Sequence, residues 1–151
     1  MRAVVQRVKK ASVAIEAENY EDHIGKGLMV LAAFEDEDTV QDLEWMVRKL
    51  TAMRIFDDAE GVMNLSVKDV NGEVMVVSQF TLYASTAKGN RPSYIRAAKP
   101  DISIPLYEKF LQMMEESMGS RVAHGHFGAD MQVSLINDGP VTIVIDSKLK
   151  F

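Results

Sequence analysis

The chain has no cysteine, one tryptophan and only four prolines in 151 residues. The missing thiols exclude a disulfide framework, a cysteine nucleophile and any cysteine-ligated metal site. No apolar run approaches the roughly 18 residues of a membrane-spanning helix. The opening Met1-Arg2-Ala3-Val4-Val5-Gln6-Arg7 lacks the apolar core of a signal peptide, so a cytoplasmic protein is expected. No repeat, low-complexity tract or Pro/Gly/Ser linker divides the sequence. A single domain over residues 1–151 is therefore expected, large enough to bury a core without a staple. Positive charge is also scarce: 17 Lys and Arg stand against 22 Asp and Glu, for a net charge of −5. Nucleic-acid-binding domains usually carry net positive charge, so this balance argues at first sight against such a partner. The deficit is uneven, however. Ser85 to Pro100 holds Lys88, Arg91, Arg96 and Lys99, with Tyr94 among them and no acidic residue, and its local +4 leaves −9 on the remainder. That segment reads either as a solvated basic loop or as a surface that tracks phosphates.

Valines and isoleucines over Ala3–Ile15 predict one bent strand or two successive strands. Asn19–Lys26 is polar and leads into glycines, which predicts a loop, and the apolar run Leu28–Phe34 predicts a buried strand. Val40, Leu43, Val47 and Leu50 share one helical face within Thr39–Met53, and Thr39 with Asp42 resembles a capping box. Glu35-Asp36-Glu37-Asp38 precedes this helix, where its macrodipole favours negative charge. Asn71-Gly72 predicts a hairpin turn, followed by a strand over Glu73–Gln79 that Phe80–Tyr83 extends. Thr86–Pro100 reads as a long loop. Ser103–Met118 reads as a second amphipathic helix, with Pro105 in its first turn and Gly119 at its end. Its predicted inner face holds Leu106, Phe110, Met113 and Met114. A short strand at Arg121–His126 and strands at Met131–Ile136 and Val141–Ile145 complete the reading. A hairpin or tight crossing at Asn137-Asp138-Gly139-Pro140 joins the last two. Strands that do not alternate regularly with two helices define an α+β fold, pictured as a curved, antiparallel-rich sheet or barrel-like core with two packed helices.

Several segments carry groups with chemical potential. Ser78-Gln79-Phe80-Thr81 places two hydroxyls and an amide at a strand end. Ser78 or Thr81 is a nucleophile only if a base activates it; otherwise these side chains satisfy backbone groups. His124-Gly125-His126 projects two imidazoles to one face of a strand, too few ligands for a metal even if Asp130 joins them, so no metal is expected. Phe127, Met131, Gly125 and Gly128 form either an ordinary piece of core or a pocket for a flat base. Asn137–Thr142 reads as a turn, with Pro140 trans by default.

Taken together, Met1–Val8, Met63-Asn64-Leu65-Ser66-Val67, Ser78-Gln79-Phe80-Thr81-Leu82-Tyr83, Phe127-Gly128-Ala129-Asp130-Met131 and Asn137-Asp138-Gly139-Pro140-Val141-Thr142 resemble the D-aminoacyl-tRNA deacylase family. The resemblance runs in order from Met1 to about Ser147. It implies a barrel-like α+β subunit, a homodimer, no cofactor, and hydrolysis of the ester that joins a D-amino acid to the 3′-terminal adenosine of tRNA. It also implies clearance of glycine mischarged on tRNA. Within it, Gly139-Pro140 is a cis pair that reaches the partner's active site, Ser78 to Thr81 form the catalytic segment, and Phe127 to Met131 form the adenine-side pocket. His124-Gly125-His126 departs from the family pattern, where a threonine is expected before the glycine and often an arginine after it.

An aminoacyl ester is already activated, so the main requirement is to stabilise the oxyanion. Main-chain N–H groups at Phe80 and Thr81 suit that task. The family has been assigned a threonine nucleophile, which falls on Thr81. The preferred reading lets the substrate's 2′-hydroxyl assist while protein groups position it. A rigid Gly139-Pro140 wall would exclude an L side chain sterically and let glycine pass. Arg7 is a candidate brace for Gln79 or for the Gly–Pro loop, or else a surface ion pair of small worth. A non-catalytic dimer that binds tRNA ends or D-amino acids, and a structural protein, are the alternatives.

Overall fold

The computed structural model describes Met1–Phe151. Its organising element is the long strand β1 (Arg2–Ile15). On one edge β1 pairs antiparallel first with β3 (Gly27–Ala33), from Arg2 to Val8, and then with β2 (Tyr20–Ile24), from Ala11 to Ile15. The segment expected as a polar loop thus contains β2. Its alternating polar residues reflect one face turned to solvent, with Asp22 and Ile24 inward.

The chain continues through α1 (Val40–Ala52), β4 (Phe56–Asp57), β5 (Met63–Leu65), β6 (Glu73–Ser78), α2 (Pro100–Met118), β7 (Ala123–His124) and β8 (Gln132–Asp146). β6 lies parallel to β3, and β7 parallel to β6, so the sheet is mixed. β4 and β5 form a separate small pair. The fold is α+β, as expected, with the sheet curled into a nearly closed barrel. β2 and β7 meet at the closure through side chains. Tyr20 donates its hydroxyl to the His124 carbonyl at 2.8 Å, and Asp22 accepts from Arg121 and from the His124 N–H. Burial works against ionisation of Asp22, yet these donors hold its carboxyl below the usual range.

The hairpin expected at Asn71-Gly72 is absent. Asn71 does take a left-handed φ of 51°, but the turn closes back on Val67 and sends β6 alongside β3 instead of β5. Phe80–Tyr83 does not extend β6; it winds into a 3₁₀ turn.

Both helices pack on one face of the sheet. Thr39 and Asp42 close the capping box of α1, and Leu43, Met46, Val47 and Leu50 are buried, whereas Val40 is exposed. α2 starts at Pro100, three residues earlier than its hydrophobic pattern indicates, because proline at a first helical position needs no N–H partner. Pro105 consequently lies in its second turn. Tyr107, Phe110 and Met114 face inward, with Leu106 and Met113 only partly buried. Leu28, Val30, Val74 and Val76 meet these helices, while Val8, Val13, Met29, Met75 and Val77 fill the inside of the curl. Two cores thus share one sheet. No helix is long and apolar enough to cross a membrane.

The largest departure from the sequence reading lies in β8. Its two halves form neither a hairpin nor a crossing. Both pair antiparallel with β1, from Ala14↔Gln132 to Val8↔Asn137 and again from Gln6↔Thr142 to Arg2↔Asp146. Opposite the single residue Arg7, β8 carries Asp138, Gly139, Pro140 and Val141. These residues are squeezed out of the ladder as a wide bulge, a device that re-aims a short segment away from its strand.

Candidate active site

The strand-end segment is held from several sides. Ser78 pairs with Ala32, and the Gln79 N–H donates to the Ala32 carbonyl at 2.8 Å. The chain then turns. Leu82 N–H bonds to Gln79 and Ala84 N–H to Thr81, which leaves over the N–H groups of Phe80 and Thr81 at the start of the turn. Tyr83 anchors the far end between two guanidiniums, with Arg2 at 4.9 Å and Arg96 at 5.4 Å from its ring centre. Arg2 also donates to the Leu82 carbonyl at 2.9 Å. Burial pushes the Tyr83 hydroxyl far above the ordinary tyrosine range, and that hydroxyl has no hydrogen-bond partner.

Facing this turn is Phe127–Met131. Tyr107, a buried residue of α2, places its hydroxyl 3.2 Å from the Val76 carbonyl and 3.3 Å from that of Gly125. Its ring packs on Phe127 at 5.9 Å. A Cβ at Gly125 would collide with the sulfur of Met131, so only glycine lets Met131 lie where it does. Between the two segments is a cavity of about 300 Å³ lined by Ser78, Gln79, Phe80, Phe127, Asp130 and Met131, among others. The fold therefore brings together two of the segments that the sequence singled out.

Thr81 does not line this cavity. Its Oγ1 accepts a hydrogen bond from Gln79 Nε2 at 2.5 Å, and no imidazole or carboxylate bonds to the hydroxyl of Ser78 or Thr81. A hydroxyl without a base is a weak nucleophile. What borders the cavity instead is an aromatic, thioether-lined wall and Phe80, whose main-chain N–H is left over.

Gly139 and Pro140 lie elsewhere. They are exposed at the tip of the β8 bulge, outside the cavity of their own chain, and the peptide between them is cis. Arg7 braces this bulge and not Gln79. Its Nε donates to the Asp138 carbonyl at 3.0 Å and its Nη1 to the Ile55 carbonyl at 2.7 Å. Asn137, the first residue of the segment expected as a turn, closes the neck: its Oδ1 accepts from the Val141 N–H at 3.0 Å and its Nδ2 donates to Thr142 at 2.9 Å. The spacing Asn137–Val141, a side-chain acceptor four residues before an N–H, was the available signal.

The basic loop reaches the cavity through an edge-to-face contact of Tyr94 with Phe80, 5.1 Å between ring centres. Of its four cations, Arg96 is paired with Glu35 at 3.2 Å; Lys88, Arg91 and Lys99 are exposed.

An α+β subunit of this kind is found in solved structures. One described as a c-Myc DNA unwinding element binding protein superposes with a TM-score of 0.88 at 40% identity, over 97% of this chain and 98% of that one. Another, described as a probable eukaryotic D-amino acid tRNA deacylase, superposes with a TM-score of 0.83 at 21% identity, over 95% and 97%, and so shares the fold. Proteins named D-aminoacyl-tRNA deacylase from Flavobacterium johnsoniae and Akkermansia muciniphila are 57% and 58% identical to it, each over 98% of both chains. A sequence model of the D-Tyr-tRNA(Tyr) deacylase family matches residues 4–146. The chain belongs to that family.

Proposed function

We propose that this protein is a D-aminoacyl-tRNA deacylase whose cavity between Ser78–Phe80 and Phe127–Met131 receives the 3′-terminal aminoacyl-adenosine. The observation that carries the reading is the meeting of these two segments at one cavity, in a chain more than half identical to proteins named for that activity. Phe127 and Met131 suit a flat base, and Tyr107 holds Phe127 in place. The ester carbonyl sits at the mouth, where the N–H groups of Phe80 and Thr81 take up the negative charge that develops as water attacks with help from the ribose 2′-hydroxyl. Gln79 and Thr81 fix one another and thereby the turn that aims these donors. No protein nucleophile is needed.

Selection for the D configuration comes from Gly139 and Pro140. The bulge presents them as exposed backbone away from their own cavity, which suits a contact with the cavity of a second subunit. Val133, Ile136 and Val144, exposed on the same strand, suit burial in that homodimer. A backbone wall at the substrate's α-carbon rejects an L side chain, tolerates many D side chains and passes glycine, so glycine mischarged on tRNA is a second substrate.

A non-hydrolysable D-tyrosyl-adenosine, with an amide in place of the ester, tests the placement. Its binding is expected to shift the methyl resonance of Met131. Binding with no shift there, and shifts elsewhere, would contradict it.

A further inference from the structure

Beside the cavity the barrel closure builds a cluster of three rings. The Tyr20 and His126 ring centres are 4.1 Å apart, His124 lies 6.5 Å from Tyr20 in a stacked orientation, and the two imidazoles are 6.1 Å apart. The cluster forms where β7 ends beside β2. His124 and His126 both lie against Tyr20, whereas a Cβ at Gly125 would be directed at Met131 and Phe127 packs on Tyr107. Tyr20 and Tyr107 pin successive carbonyls, those of His124 and Gly125, and so fix the segment from both sides. His126 is therefore the immediate chain neighbour of Phe127, which lines the cavity.

Closure of the barrel explains Tyr20, whose hydroxyl bridges β2 to β7. It does not explain His126, whose ring bonds only to Glu18, nor Glu18, which is about half exposed and uses one carboxylate oxygen on that imidazole. The other oxygen of Glu18 has no partner within the chain. The part-exposed His126 ring, backed by Tyr20 and beside a free carboxylate oxygen, is a donor-seeking, stacking surface. Base faces stack on aromatic rings whatever the sequence, and a carboxylate accepts from the exocyclic amine of cytosine.

We infer that Tyr20, His126 and Glu18 form a subsite for the base preceding the terminal adenosine, which in tRNA is a cytosine. The inference rests on the adenosine site proposed above. The outer face of His126, backed by Tyr20, stacks on the cytosine, and Glu18 accepts its amine. The subsite makes the dinucleotide end, not the adenosine alone, the unit of recognition.

The test compares D-tyrosyl-adenosine with D-tyrosyl-cytidylyl-adenosine as substrates. The wild type is expected to cleave the dinucleotide ester with kcat/KM roughly tenfold higher, the gain of about one stacked base. His126→Ala is expected to bring that ratio close to one, and Glu18→Gln to lower it for cytidine but not for a uridine-containing substrate. A wild-type ratio of one, or an undiminished ratio in His126→Ala, would overturn the subsite. Failure of the adenosine site looks different: neither ester would be cleaved, or Phe127→Ala would leave D-tyrosyl-adenosine hydrolysis intact. Because each variant is read as a ratio of two substrates, partial misfolding does not imitate the result.

Discussion

The Arg7 guanidinium spans from the Asp138 carbonyl to the Ile55 carbonyl, so one buried side chain fixes the bulge that carries Gly139 and Pro140. Arg7 occupies the β1 position opposite the four bulged residues of β8, and its side chain bonds to the bulge where the ladder is interrupted. Arg7→Ala removes donors from two carbonyls and is expected to destabilise the fold by about 2 kcal/mol. It should also loosen the bulge and raise the cleavage of L-Tyr-tRNA relative to D-Tyr-tRNA. Arg7→Lys should not restore selectivity, because a single ammonium lacks the planar fork that reaches both carbonyls. Chemical denaturation and the two deacylation rates check both effects.

Thr81 sits outside the cavity and is bonded to Gln79, with no base in reach. Thr81→Ala is therefore expected to keep D-Tyr-tRNA hydrolysis within about tenfold of the wild type, the cost of a positioning bond. Abolished turnover with intact substrate binding would make Thr81 the nucleophile.

Asp42 ties the capping box of α1 to the segment after β8, accepting from the Thr39 N–H at 2.9 Å, from Ser147 at 2.7 Å and from Lys148 at 2.8 Å. Burial favours the protonated acid, but the donors outweigh it and hold the carboxyl well below the usual range. A depressed folded-state value stabilises the fold above the unfolded value and is lost as pH falls through the folded one. Asp42→Asn is thus expected to lower Tm by about 3 °C at pH 7. That gap should narrow as the pH drops below about 4, as thermal melts at a series of pH values will show.

The basic loop is less uniform than its sequence. Arg96 is engaged by Glu35 and Tyr83, so Lys88, Arg91 and Lys99 are the cations left for phosphates. Replacing these three with alanine is expected to weaken tRNA binding and flatten its salt dependence by about 0.7 to 0.9 in log–log slope for each phosphate no longer neutralised. An unchanged slope would mark the loop as merely solvated, and the net charge of −5 would regain its force as an objection to a nucleic-acid partner.

Local pattern made some elements legible and hid others. The helix at Val40–Ala52 was readable because its buried face repeats at helical spacing and its cap is written in Thr39 and Asp42. The bulge was not readable. Met131–Ile136 alternates and Val141–Ile145 is a β-branched run, so each reads as a separate strand, and only pairing with the unbroken β1 joins them into β8. β2 is hidden in the sequence because it is short and polar, with Asp22 on its inward face, and Asn71-Gly72 misleads because turn chemistry does not say which strand comes next. At the site, the segments Ser78–Thr81 and Phe127–Met131 stood out in the sequence. Their meeting across β6, β7 and α2 is a tertiary fact, as is the bond that turns Arg7 toward Asp138.

Chiral hydrolysis of an aminoacyl ester without a protein nucleophile is decided by deacylation of matched D-Tyr-tRNA and L-Tyr-tRNA by the wild-type protein. Rapid release of D-tyrosine with L-Tyr-tRNA spared is the expected outcome. Equal rates on the two would contradict backbone exclusion, and binding of both with no turnover would reduce the protein to a tRNA-end binding module.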